Sequence, residues 1–188
     1  MHFGIEIIPL GEYADPKKAL ELAVAAEDAG WDGVFLWDHL GFVWGAPSAD
    51  PWVALAAIAA RTSRLRLGTM VTPVPRRRPQ VLANTLATLD QLSGGRVIFG
   101  AGLGGVDMEF SAFGEETDPH VRAEKLDEAL ELLDRLLSGE PVTHIGRHYQ
   151  ADDITLAPLP VQPRIPFWIG GESLPSLRRA VPRRNAHP

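Results

Sequence analysis

Gly33-Val34-Phe35-Leu36-Trp37-Asp38-His39 is the stretch on which the architecture turns. It is an apolar run without alternation, closed by an acid and a histidine. An unbroken run of this kind belongs to a strand covered on both faces, as in a parallel sheet. Comparable segments begin at Phe3, Leu65 and Arg96, so successive strand starts lie 30, 32 and 31 residues apart. A helical pattern follows each of the first three strands directly, and the fourth after a Gly-rich loop. Repeated β-loop-α units at this spacing imply parallel strands joined by helical crossovers. Folds of this kind place their sites at the carboxyl ends of the strands. The beat then falters, with one further strand near Phe167 and the last residue at Pro188.

The first strand spans Phe3 to Ile8 and is ended by Pro9. Asp15 caps the first helix with Pro16 at its first position, and Gly30 suits its end. Asp50 or Pro51 opens an Ala-rich second helix that ends near Arg61. The third strand is Leu65 to Val71. Pro79 starts the third helix, which carries Leu82, Leu86 and Leu89 on one face and closes at Ser93-Gly94-Gly95. The fourth strand is Arg96 to Gly100. Ala101 to Asp118 is Gly-rich and acidic and is expected to be a long loop, a common place for function. Leu126, Ala129, Leu130, Leu133 and Leu137 mark an amphipathic helix that starts at Pro119 or His120. Val142 to Ile145 and His148 to Ala151 read as a small hairpin about Gly146. The fifth strand is Pro166 to Ile169, and Ser173 caps a last helix through Val181. A domain over 1–181 and an irregular tail over 182–188 are expected.

The 188 residues are 45% hydrophobic, enough for a sizeable core. The net charge of −6, with no long block of one sign, argues against nucleic acid or an anionic membrane as partner. There is no cysteine, which excludes disulfides, thiolate catalysis and Cys-ligated metals. No segment approaches the roughly 18 uninterrupted apolar residues of a membrane span. Met1 to Ile5 runs straight into a strand without a signal-peptide layout. A soluble cytoplasmic protein is expected.

Gathering the strand ends brings the candidate residues to one face. Asp38-His39 is the sharpest pair. A histidine near neutrality can take or give a proton or hydrogen-bond a cofactor, and the adjacent carboxylate can tune it or engage a second group. Both are equally compatible with polar residues closing a strand. Gly170-Gly171-Glu172-Ser173 lies where a strand gives way to a helix. It offers either a phosphate site or an ordinary turn and cap. Gly100, Gly102 and Gly105 match G-x-G-x-x-G, but the helix should open at that motif and here waits until Pro119, so a dinucleotide fold is disfavoured. Arg76-Arg77-Arg78 can bind an anion, and a solvated loop is the favoured reading. His144 and His148 are four apart across Gly146, which suits a hairpin rather than a metal site.

The ordered set of segments resembles the luciferase-like monooxygenases, the flavin-dependent family of bacterial luciferase and the F420-dependent reductases. The resemblance is carried by Ala26-Glu27-Asp28-Ala29-Gly30-Trp31-Asp32-Gly33, Trp37-Asp38-His39, Leu67-Gly68-Thr69-Met70-Val71-Thr72-Pro73, Leu89-Asp90-Gln91-Leu92-Ser93-Gly94-Gly95-Arg96-Val97, Gly100-Ala101-Gly102 and Pro166-Phe167-Trp168-Ile169-Gly170-Gly171. It runs from about Phe3 to Leu177. It implies an α/β fold, a TIM (β/α)8 barrel with flavin at the C-terminal mouth. His39 would face the reactive edge of the flavin with Asp38 assisting. Met70, Val71 and Thr72 would sit at a bulge in the third strand, where relatives have a non-proline cis peptide. Gly102 and Leu103 would lie beside the cofactor, and Gly170, Gly171 and Ser173 would approach its phosphate.

The implied cofactor is FMN or coenzyme F420, with no metal, and the substrate is a small organic molecule. The implied activity is that of a flavoprotein oxidoreductase or monooxygenase. The alternative is a shortened homologue that binds flavin, or serves in assembly, without turnover. A closed eight-stranded barrel needs about 250 residues, and this sequence supplies about five βα units. An incomplete barrel with a hairpin insertion before its fifth strand is therefore expected. Its open flanks would be covered by a second copy, giving a homodimer or higher homo-oligomer.

Overall fold

A computed structural model describes residues 1–181. The tail expected over 182–188 lies outside the described residues. In chain order the elements are β1 (Gly4–Ile7), α1 (Pro16–Asp28), β2 (Gly33–Leu36), α2 (Pro51–Arg61), β3 (Arg66–Thr69), β4 (Thr72–Pro73), α3 (Pro79–Ser93), β5 (Val97–Gly102), α4 (Met108–Ser111), α5 (Pro119–Leu136), β6 (Val142–Ile145), β7 (Gln150–Ile154), β8 (Phe167–Ile169) and α6 (Leu174–Ala180). Short 3-10 turns follow β1, β2 and β4. No helix among the described residues is long and apolar enough to cross a membrane.

Three of the helices, α1, α2 and α5, begin at a capping aspartate. Asp15 accepts from Lys17 N–H at 2.9 Å, Asp50 from Trp52 and Val53 N–H at 2.9 and 3.0 Å, and Asp118 from His120 N–H at 2.8 Å. In each case proline follows at the first helical position, where its missing N–H costs nothing. Gly94 ends α3 with a φ of 70°, a conformation that glycine adopts without a steric penalty.

The strands pair in parallel. β1 lies against β2, β2 against β3, and β3 against β5, while β8 takes the other side of β5. β4 continues the line of β3. Leu67 pairs with Val97, an offset of 30, whereas Thr72 pairs with Ala101, an offset of 29. One extra residue has therefore entered the third strand between Thr69 and Thr72, as in a β-bulge. The Met70–Val71 peptide within it is cis. The five-unit parallel arrangement thus agrees with the sequence reading, with the third strand split in two. β6 and β7 form an antiparallel pair apart from this sheet.

One face of the sheet carries Val34, Leu36, Leu67, Val97 and Phe99 against Leu55 and Ile58 of α2, Leu82 and Leu86 of α3, and Leu126 and Leu133 of α5. Truncating one such side chain to alanine costs about 2–5 kcal/mol. The opposite face corresponds to a barrel interior. Phe35 and Ile98 are buried there. Trp168 stacks on Phe35 with ring centroids 5.3 Å apart, and it remains 44% exposed.

Several residues of the recurring motifs brace the opposite, amino-terminal end of the strands. Glu27 accepts from the backbone N–H groups of Ser63, Arg64 and Leu65, holding the lead-in to β3. Burial pushes its carboxyl pKa up, but these bonds and the Ser63 hydroxyl outweigh burial and hold it at about 2. Buried Asp90 accepts from Gln162 N–H at 2.9 Å and from its side-chain amide at 2.7 Å. Buried Arg96 donates to the carbonyls of Ala59, Thr62 and Leu65.

Two expectations need correction. The strand expected to end at Gly100 runs on to Gly102, so Ala101 and Gly102 are strand residues, because parallel pairing with β4 and β8 extends that far. The stretch Ala101 to Asp118 is also not one long loop. It contains α4, which turns Phe110 and Glu109 into the interior, at 1% and 0% exposure.

Candidate active site

His39 follows β2 and is carried to the strand-end face by the continuation of that strand. Its ring touches two indoles, with centroids 5.4 Å from Trp37 and 5.3 Å from Trp44. Its Nδ1 is 3.1 and 3.0 Å from the two carboxylate oxygens of Glu109. Leu40 N–H donates to Oε1 of that carboxylate, and Arg76 Nη1 donates to Oε2 at 3.0 Å.

Asp38 points elsewhere. It is 2% exposed and accepts from Arg76 Nη2 at 2.9 Å and from Arg77 Nη2 at 2.8 Å. Arg77 Nε adds a further bond at 3.1 Å, so Arg77 grips the carboxylate with both prongs of its fork. Arg76 Nη2 also donates to the Asp38 backbone carbonyl at 2.9 Å. Asp38 thus engages the two arginines and makes no hydrogen bond to the His39 ring. Two carboxylates and two guanidinium groups interlock, so the buried charges balance. This satisfies the condition under which charge is tolerated away from water.

The favoured reading of Arg76-Arg77-Arg78 as a solvated loop is therefore overturned for its first two members. Only Arg78 is exposed, while the side chains of Arg76 and Arg77 are 9% and 27% exposed. The physical reason is Asp38 and Glu109, which draw both guanidinium groups inward. Glu109 was missed because it stands in an acidic stretch without periodicity. Its one sequence signal is the adjacent Phe110, an apolar residue that requires a buried turn.

Val71 occupies the centre of the mouth. A Cβ at Gly102 would lie 2.4 Å from Val71 Cγ2, and one at Gly170 would lie 3.0 Å from Val71 Cγ1. The bareness of these two positions is thus used by Val71, which nests between β5 and the end of β8. Thr72 turns inward, donating to Thr69 Oγ1 at 3.0 Å, and Thr69 donates to the Gly100 carbonyl at 3.1 Å. Leu103 packs against the core. Met70 N–H donates to the Leu36 carbonyl, tying the bulge to β2 just before Asp38-His39.

Gly171 has a φ of 125° and is exposed. Ser173 caps α6, its hydroxyl accepting from Ser176 N–H at 3.3 Å. His144 and His148 each meet a glutamate of α5, Glu128 at 3.0 Å and Glu124 at 3.2 Å. That contact docks the hairpin on the helix.

A cavity of about 420 Å³ opens beside His39, with Ser48, Asp50, Arg77, Phe113 and Glu115 among its lining. A histidine whose Nδ1 is held and whose ring borders this space can exchange a proton with a bound molecule. Val71 fills the space that side chains at Gly102 and Gly170 would need and is itself only partly buried, so its side chain is what this part of the strand-end face offers to a flat ring.

Comparison with known proteins places the chain in a family of the same fold. A family profile described as "Luciferase-like monooxygenase" matches residues 4–183. An F420-dependent glucose-6-phosphate dehydrogenase of Microbacterium testaceum is 38% identical over 175 residues, 90% of this chain and 51% of that protein. A 4-hydroxyprotoasukamycin monooxygenase of Streptomyces nodosus is 35% identical over 79% of this chain and 40% of its own length. Among solved structures, an F420-dependent secondary alcohol dehydrogenase superimposes with a TM-score of 0.85 at 30% identity, over 95% of this chain and 55% of that one. The monooxygenase RslO1 of Streptomyces bottropensis gives 0.80 at 34% identity, over 90% and 53%. The chain spans about half the length of the curated relatives it matches.

Proposed function

We propose, from the premise that this chain belongs to the luciferase-like monooxygenase family, that it carries the proton-handling part of an F420-dependent oxidoreductase site acting on a small organic substrate. The observation that supports this best is His39, pinned on Glu109 at Nδ1, in contact with two indoles and bordering a cavity at the strand ends. Bound F420 would supply hydride exchange. The chain's own residues supply the rest. His39 takes a proton from a substrate hydroxyl, or returns one to a carbonyl. Asp38, through Arg76 and Arg77, holds the wall of the cavity.

In this reading Met70, Val71 and Gly102 lie beneath the ring, Val71 being the side chain presented toward it, while buried Thr72 and core-packed Leu103 support them from below. Gly170, Gly171 and Ser173 line the approach of a phosphate-bearing arm. Exposed Gly171 is the most open of the three, since Ser173 already caps α6. The F420 reading draws on the dehydrogenases at 38% and 30% identity. FMN with oxygen is the second reading, favoured by the monooxygenases at 35% and 34%.

A homo-oligomer belongs to the same proposal. β1 and β8 each keep one unpaired edge among the described residues, and Phe3, Trp168, Leu174 and Leu177 are exposed. Titration of the protein with F420 and with FMN, followed by fluorescence, tests the reading. Saturable binding of F420 with substrate-dependent reduction supports it. Binding of neither cofactor overturns it, and FMN binding alone transfers it to the oxygen-using class.

A further inference from the structure

We infer that Glu109 and Arg76 are positioning residues for His39: they hold its neutral ring as the tautomer protonated on Nδ1, so that Nε2 is the atom offered to a ligand. This rests on the reading of His39 as the proton-handling group. It adds which nitrogen acts and what decides it.

The argument starts from the hydrogen-bond capacity of Glu109. The residue is 0% exposed, so water does not serve its oxygens. Oε1 accepts from Leu40 N–H, and Oε2 accepts from Arg76 Nη1 at 3.0 Å. Neither donor can reverse its role, because a backbone amide and a guanidinium have only protons to give. The carboxylate between them is an acceptor on both oxygens. His39 Nδ1 lies almost equally far from the two, at 3.1 and 3.0 Å. A bare Nδ1 lone pair facing two anionic oxygens of a fully buried carboxylate would be repelled, whereas an N–H there bonds to both. The proton therefore resides on Nδ1.

The second part concerns what keeps Glu109 in place. Arg76 joins it to Asp38, and Asp38 is gripped in turn by Arg77. The order Arg77, Asp38, Arg76, Glu109, His39 is one continuous line of charge-assisted contacts. The buried members of the line are two carboxylates and two guanidinium groups, and the more exposed Asp50 lies 3.8 Å from Arg77 at its far end. Trp37 and Trp44 confine the ring. Rotating it end for end would turn a carbon toward the carboxylate and forfeit the bond. Among the described residues Nε2 has no hydrogen-bond partner, and the ring lines the 420 Å³ cavity.

The line makes a sharp prediction for Glu109→Gln. Either placement of the amide sets its N–H₂ against a fixed donor, Leu40 N–H or Arg76 Nη1. The anionic acceptor that holds the proton on Nδ1 is gone, and one of the two positions facing Nδ1 now carries N–H. The substitution is expected to weaken the preference for Nδ1–H and to populate the ring protonated on Nε2.

The experiment is nitrogen-15 NMR of the imidazoles in the full chain without cofactor, with the His39 signals identified by their loss in His39→Asn. Wild-type protein should show the proton on Nδ1 and a bare Nε2, and Glu109→Gln, verified as folded by circular dichroism, should show a shift of the neutral ring toward protonation on Nε2. A wild-type ring protonated on Nε2 overturns the proposal, and so does a folded Glu109→Gln with the wild-type pattern. If Glu109→Gln does not fold, the wild-type pattern alone decides. Because no cofactor is present, failure of cofactor binding and failure of this assignment are separate results.

Discussion

Glu109 and His39, 70 residues apart in sequence, meet at 3.0 Å where a buried helical turn closes over the end of β2. The contact turns a strand-end histidine into a ring of defined orientation. Removing the imidazole should leave the fold intact, because His39 retains solvent access and its neighbours are held by the arginines. His39→Ala is therefore expected to lower kcat in the cofactor-loaded protein by about 10²–10⁴-fold, the usual contribution of a positioned acid or base. Steady-state kinetics with the urea midpoint measured in parallel is the check. Unchanged kcat would remove His39 from the chemistry.

Arg76 is the hinge of the charge line, and its loss leaves two buried carboxylates facing each other. Arg76→Ala should cost about 3–5 kcal/mol of stability, as when one partner of a buried ion pair is deleted. Arg77, with a side chain 27% exposed against 9% for Arg76, should cost about 1–3 kcal/mol, nearer the value of a single charged hydrogen bond. Urea unfolding of both variants reads the order, and an Arg77 variant weaker than the Arg76 variant would contradict the burial argument.

Gly102 and Val71 form a steric pair. A methyl group at Gly102 would lie 2.4 Å from Val71 Cγ2. Gly102→Ala is expected to destabilise by about 1–3 kcal/mol through overpacking. Val71→Ala in the same chain should recover at least about 0.5 kcal/mol, the coupling expected of residues in contact. Strictly additive single and double variants would show that the glycine serves something other than Val71.

Glu27 gives the fold a defined acid response. Its pKa lies at about 2 in the folded chain against 4.5 for the free side chain. A depressed folded pKa means that the contribution is complete above the unfolded value and is lost as pH falls from 4.5 toward 2. Glu27→Gln should therefore be less stable than wild type at pH 7 by about 1–2 kcal/mol. That gap should narrow steadily below pH 4.5. Denaturant unfolding across this range tests the sign, and a gap that widens on acidification would refute it.

The edges of β1 and β8 that are unpaired among the described residues should bring copies together. Sedimentation at micromolar concentration is expected to show a dimer or larger species. A stable, folded monomer would reject this.

The arginine run shows how a local reading goes astray. Three consecutive arginines after a proline usually face water, and nothing within ten residues contradicts that. Their partners are Asp38, 38 positions before Arg76, and Glu109, 33 positions after it. Glu109 itself stands among acidic and glycine residues whose pattern names no element. The motif residues Glu27, Asp90 and Arg96 also proved to brace the far ends of the strands. A shared motif marks constraint, but it does not say whether the constraint is chemical or architectural.

The strands, the capped helices and the parallel order were determined by the sequence alone, because each rests on local signals. An apolar run makes a covered strand, Asp-Pro opens a helix, and glycine closes one. The tertiary structure decided what meets at the strand ends. Parallel registration brings β2, β4 and β5 level, one extra residue in the third strand aims Val71 into the mouth, and α4 folds Glu109 over His39. These contacts join residues some 30 to 70 positions apart, and their geometry depends on how the whole sheet is aligned.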